Sequence, residues 1–108
     1  MNVITIIVRG LNNQTKRQTI LHWLESKDYN IICLQETFIT KSTVENIKNE
    51  WKGQSFHSVS DSSHSKGVSI LFKDKYPIDI INHYECDDGR KLIVNFKHKG
   101  QTYTIVNV

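Results

Sequence analysis

Two short apolar runs, separated by the length of one helix, constrain the fold of this chain more than any other feature. Residues 3–8 (VITIIV) form an unbroken β-branched run, which is typical of a strand buried on both faces. Residues 30–34 (NIICL) form a second apolar run. A strand, a helix and a second strand in so short a span form a βαβ unit, in which the strands are parallel and the crossover is right-handed. The pattern therefore predicts an α/β fold built on a buried parallel pair.

Two segments carry the signals of amphipathic helices. Thr15 and Gln18 have the spacing of a capping box, and the helix that follows should end near residues 27–28. Its apolar positions recur at helical spacing: Ile20, Leu21, Trp23 and Leu24. A second capping box, Ser42 with Glu45, predicts a second helix. One buried face of that helix should carry Val44, Ile47 and Trp51. We expect both tryptophans to belong to the core rather than to stack on nucleic-acid bases.

The second half of the chain has the pattern of an antiparallel β meander. Turn signals occur at residues 87–89 (DDG) and 99–100 (KG), and the serine-rich residues 58–65 predict an exposed loop. Between these signals we predict strands at residues 55–59, 67–73, 78–84, 90–96 and 102–108. The last predicted strand runs to Val108 without a turn after it, so we expect the chain to be the N-terminal part of a longer domain.

Composition narrows the class of protein only slightly. The 108 residues suit one domain, and the net charge of +3 permits a polyanionic partner without requiring one. No segment approaches the roughly 18 apolar residues of a membrane helix, and the N-terminus has no cationic stretch before its apolar run, so neither a membrane partner nor a signal peptide is expected. Cys33 and Cys86 lie far apart in sequence, which indicates a reducing, intracellular compartment, either nucleus or cytoplasm.

Glu36 is the best candidate for a chemical role. It follows the second apolar run directly, and in a βαβ unit the carboxyl ends of both strands meet at the crevice where ligands usually bind. Residues 7–9 should therefore lie beside it. A carboxylate at this place suits a hard cation such as Mg²⁺, which binds through one or two carboxylates plus substrate phosphates. The alternative is a solvated glutamate at the end of a strand.

Four basic side chains could meet phosphate groups near this crevice. Arg9, Lys16 and Arg17 follow the first strand at its carboxyl end. Lys66 precedes the predicted strand at residues 67–73. Electrostatic contact with phosphates is one interpretation. The alternative for the first three is a solvated first turn of the helix.

The histidines and aspartates do not form a recognisable catalytic or metal-binding motif. No two of the histidines have the helical spacing of a metal pair, and we expect all five to be ordinary surface or strand residues: His22, His57, His64, His83 and His98. The remaining acidic candidates are scattered over predicted loops and exposed strand positions: Asp61, Asp79, Asp87 and Asp88. No nucleophile-elbow motif supports a Ser-His-Asp site.

Three segments resemble the endonuclease domains of non-LTR (LINE-type) retrotransposons, which are relatives of apurinic/apyrimidinic (AP) endonucleases in the endonuclease/exonuclease/phosphatase superfamily. They are residues 9–13 (RGLNN) with the basic pair and helix that follow, residues 31–37 (IICLQET) and residues 66–72 (KGVSILF). Residues 88–90 (DGR) and 103–108 (YTIVNV) follow in the order typical of that family, so the likeness covers nearly the whole chain.

The resemblance implies the N-terminal portion of a four-layer, DNase I-like α/β sandwich. It also implies hydrolysis of a DNA phosphodiester with Mg²⁺, or with Mn²⁺ in its place, and Glu36 in the motif position of the metal ligand. In the family a downstream histidine, oriented by a carboxylate, activates the attacking water.

The chain departs from the family pattern in ways that bear on activity. Ile7 stands where the family usually carries an asparagine, and Phe38 where many members have histidine. The tyrosine, aspartates, asparagine and histidine of the family's later motifs would all follow Val108. We therefore expect a fragment that is inactive alone. A non-catalytic nucleic-acid-binding module and the phosphatase branch of the superfamily remain the alternatives, and the sequence leaves the oligomeric state open.

Overall fold

A computed structural model describes residues 1–60, 66–86 and 88–108 of the chain. Within these ranges, two helices and seven strands follow one another in the order β1 (Val3–Ile7), α1 (Gln14–Ser26), β2 (Ile31–Gln35), α2 (Lys41–Glu50), β3 (Ser55–Ser58), β4 (Val68–Phe72), β5 (Asp79–Glu85), β6 (Leu92–His98) and β7 (Gln101–Asn107). Neither helix is long and apolar enough to span a bilayer.

The strands form two sheets. The first has the order β1-β2-β4-β3, with β1 parallel to β2 and β4 antiparallel to both of its neighbours. The second has the order β5-β6-β7 and is antiparallel throughout. The predicted parallel pair is thus confirmed, and the predicted meander is confirmed for its last three strands. The structure adds that β3 and β4 belong to the first sheet, so the meander itself consists of the last three strands.

Two apolar clusters hold the layers together. One lies between the helices and the first sheet and includes Leu11, Leu24, Ile32, Leu34 and Ile47. The other lies between the two sheets and includes Ile31, Ile70, Phe72, Leu92 and Phe96. In β2 successive side chains point to opposite faces, so its unbroken apolar run serves both clusters. Helices, first sheet and second sheet are three layers of the predicted α/β sandwich.

Strand β1 does not have the burial that its sequence predicts. Ile4 and Ile6 pack against the cluster between the helices and the first sheet, but Val3 is 49% exposed and Ile7 is 57% exposed. The prediction of burial on both faces is therefore wrong for this strand. The physical reason is its place at the edge of the first sheet, where the three-stranded second sheet leaves its other face open.

The helices begin at residues other than the predicted caps. Asn13 caps α1, and its Oδ1 accepts a hydrogen bond of 2.9 Å from the Lys16 amide. Thr40 caps α2, and its Oγ1 accepts one of 3.3 Å from the Thr43 amide. Each cap lies two residues before the predicted one, and in both helices the side-chain oxygen of the cap satisfies a free amide of the first turn.

The two tryptophans differ in burial. Trp51 is 2% exposed, and its indole Nε1 donates a hydrogen bond of 2.9 Å to the Phe72 carbonyl. Trp23 is 43% exposed, so its prediction as a core residue is wrong. The buried face of α1 includes Leu21 and Leu24. Trp23 comes two residues after Leu21, so its side chain points away from that face.

His57 in β3 is a buried polar residue of the first sheet. Its Nδ1 lies 2.7 Å from Ser69 Oγ and its Nε2 lies 2.9 Å from Ser55 Oγ. Burial, assisted by the positive charge of Lys48, lowers the pKa of His57 to about 4. The imidazole is therefore neutral at physiological pH and serves the packing of β3 on β4.

The low pKa of His57 predicts a loss of stability in mild acid. The unfolded chain protonates this histidine near pH 6.5, whereas the folded chain does so near pH 4, so the unfolded state binds more protons between these values. The contribution of His57 to the free energy of unfolding is complete above pH 6.5, and it falls by up to about 3 kcal/mol as the pH approaches 4. Urea unfolding across this range should show a shallower pH slope for His57→Gln than for wild type. The exposed His22→Gln should keep the wild-type slope, and equal slopes for all three proteins would contradict the assignment.

Candidate active site

The carboxyl ends of β1 and β2 open onto a cavity of about 630 Å³. The loop before β4 and the turn before β6 complete its walls, and β7 forms one side. Among its lining residues are Ile7, Glu36, Lys66, Arg90 and Asn107. Residues from five distant parts of the chain thus meet where the βαβ unit predicts a crevice.

The backbone around Glu36 is held from two sides. Its carbonyl accepts a hydrogen bond of 2.8 Å from the Gly10 amide, and the next residue, Thr37, donates one of 3.1 Å to the Gly67 carbonyl. Glu36 itself has a φ of 52°, which is uncommon for a residue other than glycine and which recurs at functional sites. Its side chain is exposed at the cavity, and in the described part of the chain its carboxylate makes no ion pair.

Lys66 reaches the cavity because the loop before β4 lies close against the strand end of Glu36. The Lys66 carbonyl accepts a hydrogen bond of 2.9 Å from the Phe38 amide. At Gly67, which has a φ of 109°, an added Cβ would lie 2.3 Å from Thr37 Oγ1, so only glycine fits this close approach. The glycine therefore sets the position of the lysine beside the carboxylate.

Arg90 is a cavity residue that sequence reasoning did not single out. Its side chain is 67% exposed, and its Nε lies 3.2 Å from Asp88 Oδ2. Such exposed pairs contribute little, so the guanidinium can exchange this partner for a ligand. The Gly89 carbonyl accepts a hydrogen bond of 2.9 Å from the Gly67 amide, which ties this turn to the loop of Lys66. The only signal in the sequence was the DGR segment, without a role for its arginine.

A buried amide network forms the floor of the cavity. Asn107, which is 3% exposed, donates to the carbonyls of Leu34 at 3.0 Å and Ser69 at 2.8 Å, and so joins the second sheet to the first. Its Oδ1 accepts a hydrogen bond of 2.6 Å from Gln35, whose Oε1 accepts one of 2.9 Å from Thr5. Sequence reasoning missed Asn107, whose only signal was a polar residue at the end of an apolar strand. The side-chain amides of Gln35 and Asn107 are therefore engaged in hydrogen bonds within the protein.

Ile7 lies beside the end of β2, as the parallel strands of the βαβ unit predict. It pairs with Gln35, one residue before Glu36, and its side chain lines the same cavity. An isoleucine side chain offers no oxygen to a metal or phosphate. In this part of the cavity Glu36 is therefore the group that can bind a cation.

Cys33 also lines the cavity, but it is a poor nucleophile. It is 7% exposed, and burial raises the pKa of its thiol to about 11. Since the thiolate is the reactive form, the thiol stays protonated and inert at neutral pH.

The basic residues of the first turn have different environments. Arg9 is exposed in the turn after β1, with a φ of 53°. Lys16 donates from Nζ to the carbonyls of Val8 at 2.8 Å and Arg9 at 3.0 Å, so it secures the end of β1. Neither side chain lines the cavity of Glu36.

The structure places Arg17 away from the other candidate phosphate contacts. It is 3% exposed, and its Nε lies 2.6 Å from Glu50 Oε1, with a second bond of 3.2 Å from Nη2 to Oε2. Its Nη1 donates to the carbonyls of Leu11 and Asn12 at 3.1 and 3.0 Å. Four of its five N–H donors bond to protein groups, so we leave Arg17 out of the candidate site.

The described histidines are absent from the lining of this cavity. His83 lies 3.4 Å from Glu85 on β5, and His98 Nδ1 donates a hydrogen bond of 2.6 Å to the Pro77 carbonyl. His22 is exposed on α1, as predicted. In residues 1–60, 66–86 and 88–108 no three His, Cys, Asp or Glu side chains form a metal-binding cluster. The predictions for His64, Asp61 and Asp87 lie outside the described residues.

Comparison with known proteins supports the resemblance. No family model matches the chain. Over all 108 residues it is 28% identical to the transposon TX1 uncharacterized 149 kDa protein of Xenopus laevis, of which it spans 8%. Its fold matches the catalytic domain of Xenopus laevis APE2 with a TM-score of 0.72 at 20% identity, and the AP endonuclease LMAP of Leishmania major with a TM-score of 0.69 at 14% identity.

These similarities confirm the predicted fold class, the DNase I-like α/β sandwich of AP endonucleases, and the predicted resemblance to a transposon protein. The match covers 100% of this chain but 44% of the APE2 chain, and 98% of this chain but 38% of the Leishmania chain. The chain thus spans less than half the length of either solved structure.

Proposed function

We propose that this chain is part of a Mg²⁺-dependent DNA endonuclease domain that hydrolyses phosphodiester bonds, with Mn²⁺ as an alternative ion. The observation that carries the proposal is the carboxylate of Glu36, which is exposed at the cavity beside Lys66 and Arg90. A free carboxylate next to two cations matches what a metal-bound phosphate requires. The similarity to a transposon protein favours a nuclease over the phosphatase branch.

The residues fit a magnesium ion that is only partly coordinated by protein. Mg²⁺ keeps several waters and binds through one or two carboxylates together with substrate phosphates, and Glu36 would supply the carboxylate. When bound, the ion would neutralise charge that develops on a phosphate oxygen. Lys66 and Arg90, which line the same cavity, would hold the phosphates of the DNA strand.

Among the described residues that line the cavity, none is free to act as a proton acceptor. A general base must lie within hydrogen-bond reach of the attacking water, and the described lining residues include no histidine. Glu36 itself would be committed to the metal. We therefore expect this chain to bind and orient a phosphate without hydrolysing the bond, and to show no nicking activity alone.

Mn²⁺ should bind weakly and specifically at Glu36. We expect Mn²⁺ to broaden the amide resonances of Gly10 and Thr37, which flank Glu36, well before those of α2. Glu36→Gln removes the charge at constant shape and should abolish this local broadening. Glu45→Gln, an exposed carboxylate on α2, serves as the matched control and should preserve it. The measurement is an NMR titration of the folded chain.

Two outcomes would contradict the proposal. If Glu36→Gln retains the local broadening, Glu36 is not the metal ligand. If the 108-residue chain nicks supercoiled plasmid with Mg²⁺ and loses that activity as Glu36→Ala, the expected inactivity is wrong.

DNA binding that is the same without metal and in Glu36→Gln would favour the second candidate, a non-catalytic nucleic-acid-binding module. The exposed cations Arg9 and Arg90, and Lys66, are what support that candidate.

A further inference from the structure

A second cavity, of about 700 Å³, lies at the end of the first sheet opposite to Glu36. It is lined by the end of α1, by residues that follow β4 and by residues that precede β2, among them Tyr29 and Asn30. Glu36 comes after β2, so this strand of five residues separates the two cavities. At about 3.3 Å per residue, the strand is roughly 17 Å long. The second cavity is thus distinct from the candidate active site.

Two buried polar atoms belong to residues that line the second cavity. Glu25 Oε1 and Tyr76 Oη are both covered, and neither has a hydrogen-bond partner within residues 1–60, 66–86 and 88–108. Such groups cost free energy unless they are bonded. The carboxylate oxygen accepts a hydrogen bond, and the phenol can donate or accept one. A ligand whose edge carries N–H donors beside acceptors, as a nucleobase does, would satisfy both.

Three exposed lysines also line the second cavity. Lys27 follows α1, Lys52 precedes β3 and Lys75 lies in the turn after β4. In the described part of the chain none of them makes an ion pair, so their ammonium groups can meet phosphates. Lys73 differs from them, because its Nζ donates to the carbonyls of Glu25 and Lys27 and so fixes the end of α1.

Carboxylates in the same lining argue against a bare anion as the ligand. Asp28 and Asp74 are exposed and come next to Lys27 and Lys75 in sequence, and Glu25 adds a third carboxylate. Their charges would oppose inorganic phosphate. A nucleotide meets both requirements, because its phosphate suits the lysines and the N–H groups of its base suit the carboxylates.

Trp23 lies beside the second cavity. Its ring is 43% exposed, and the ring centroid lies 6.2 Å from that of Tyr29 and 5.6 Å from Lys27 Nζ, both of which belong to lining residues. Proteins bind single-stranded nucleic acids through such combinations, since bases stack on aromatic rings while phosphates meet cations. One base can therefore occupy the cavity while the next base stacks on Trp23.

We propose that the second cavity binds an unpaired nucleotide of a single-stranded nucleic acid. Its base bonds to Glu25 and Tyr76, the adjacent base stacks on Trp23, and the exposed lysines hold the phosphates. A duplex does not fit, because its paired bases cannot offer these edges and faces to side chains. The proposal needs neither Glu36 nor a metal ion, so it stands apart from the proposed nuclease chemistry.

Binding is measured in EDTA at low salt with a labelled oligothymidylate of about twelve nucleotides. We expect the oligonucleotide to quench the fluorescence of Trp23, whereas the buried Trp51 serves as an internal reference. Trp23→Ala should weaken binding about tenfold, which corresponds to one lost stacking contact, and should abolish the quenching. Tyr84→Ala is the matched control, because it removes a ring of β5 that is 58% exposed, and it should bind like wild type.

The salt dependence of affinity tests the lysines. Lys52→Gln with Lys75→Gln should reduce the slope of log affinity against log salt by about 1.4, because each lost phosphate contact on a single strand removes about 0.7. Lys41→Gln with Lys97→Gln changes two exposed lysines outside the second cavity and should keep the wild-type slope. Circular dichroism should show that all of these variants remain folded.

Variants of the first cavity separate this proposal from the proposed metal site. Glu36→Gln, and Lys66→Gln with Arg90→Gln, should bind the oligothymidylate like wild type even if Mn²⁺ does not bind at Glu36. Loss of binding in either variant would place the strand at the first cavity and overturn the proposal. Absence of binding, unchanged binding by Trp23→Ala, or equal competition by thymidine monophosphate or by a duplex of the same length would overturn it as well.

Discussion

Gly53→Ala is expected to lower the free energy of unfolding by about 3–4 kcal/mol. An added Cβ at Gly53 would lie 1.9 Å from the Phe72 carbonyl oxygen and 2.9 Å from the Asp74 amide nitrogen. Both neighbours are backbone atoms, so no rotation of a side chain can relieve the overlap. The end of β4 must move away from the segment that joins α2 to β3.

Movement of β4 would also break interactions that depend on Phe72. Its carbonyl accepts the indole hydrogen bond of Trp51, and its amide donates a bond of 2.9 Å to the Gln54 carbonyl. Its ring is fully buried between the sheets and lies 5.2 Å from the Phe96 ring. A small domain has a total stability of about 5–15 kcal/mol. The free energy lost in Gly53→Ala should therefore be measurable as a lower midpoint of urea unfolding.

Gly100→Ala separates the clash from the general cost of replacing a glycine. Gly100 has a φ of 79°, but an added Cβ would meet nothing within 4 Å. That variant should lose only the roughly 1 kcal/mol of a strained left-handed residue. If Gly53→Ala and Gly100→Ala have equal urea midpoints, steric overlap with Phe72 is not the reason that residue 53 is glycine.

The parts of the fold that the sequence predicts well are those that depend on local pattern. The βαβ unit follows from two apolar runs and one helix, and the parallel pairing then places Ile7 beside the end of β2 without further information. The position of Glu36 at the cavity follows from the same geometry. Strand alternation and turn residues are also local, which is why the meander of β5, β6 and β7 was predictable.

The parts that the sequence does not predict depend on which distant elements become neighbours. Lys66, Arg90 and Asn107 are separated by long stretches of chain, and only the packing of the two sheets brings them to one cavity. The exposure of β1 depends on how many strands the opposite sheet has, and the sequence of β1 does not predict that number. A β-branched run predicts a strand, but it cannot tell a covered face from an open one.

Arg17 shows the same limit for charge. A basic residue in the first turn of a helix beside a crevice resembles a phosphate contact, whereas the structure pairs it with Glu50, 33 residues away. The pair joins α1 to the end of α2, and its arginine also holds the carbonyls of Leu11 and Asn12. Only the tertiary contact between the helices decides between the two roles.

Arg17→Met is therefore expected to lower the free energy of unfolding by about 3 kcal/mol at neutral pH. The Glu50 carboxylate would lose its ion pair and keep only the hydrogen bond of 2.9 Å from Gln18 Nε2, and the carbonyls of Leu11 and Asn12 would lose their donor. The hydrogen bond from Arg17 is the main cause that holds the pKa of Glu50 below its ordinary value. A carboxyl with a lowered folded-state pKa stabilises the fold above its unfolded pKa of 4.5 and loses that effect as the pH falls through the folded pKa. The difference between wild type and variant in urea unfolding should therefore shrink in acid.

The double variant Arg17→Met with Glu50→Leu decides whether the pair or the packing matters. With both charges replaced by apolar groups, no carboxylate is left without its arginine, so the part of the loss that comes from Glu50 should return. The part that comes from the Leu11 and Asn12 carbonyls should remain. Lys41→Met, at an exposed position of α2, should change stability by less than about 0.5 kcal/mol. If Arg17→Met instead keeps wild-type stability and weakens DNA binding, Arg17 leaves Glu50 to contact phosphate. The sequence-based interpretation of this arginine would then hold despite its burial, and α1 would have to move relative to α2 when DNA binds.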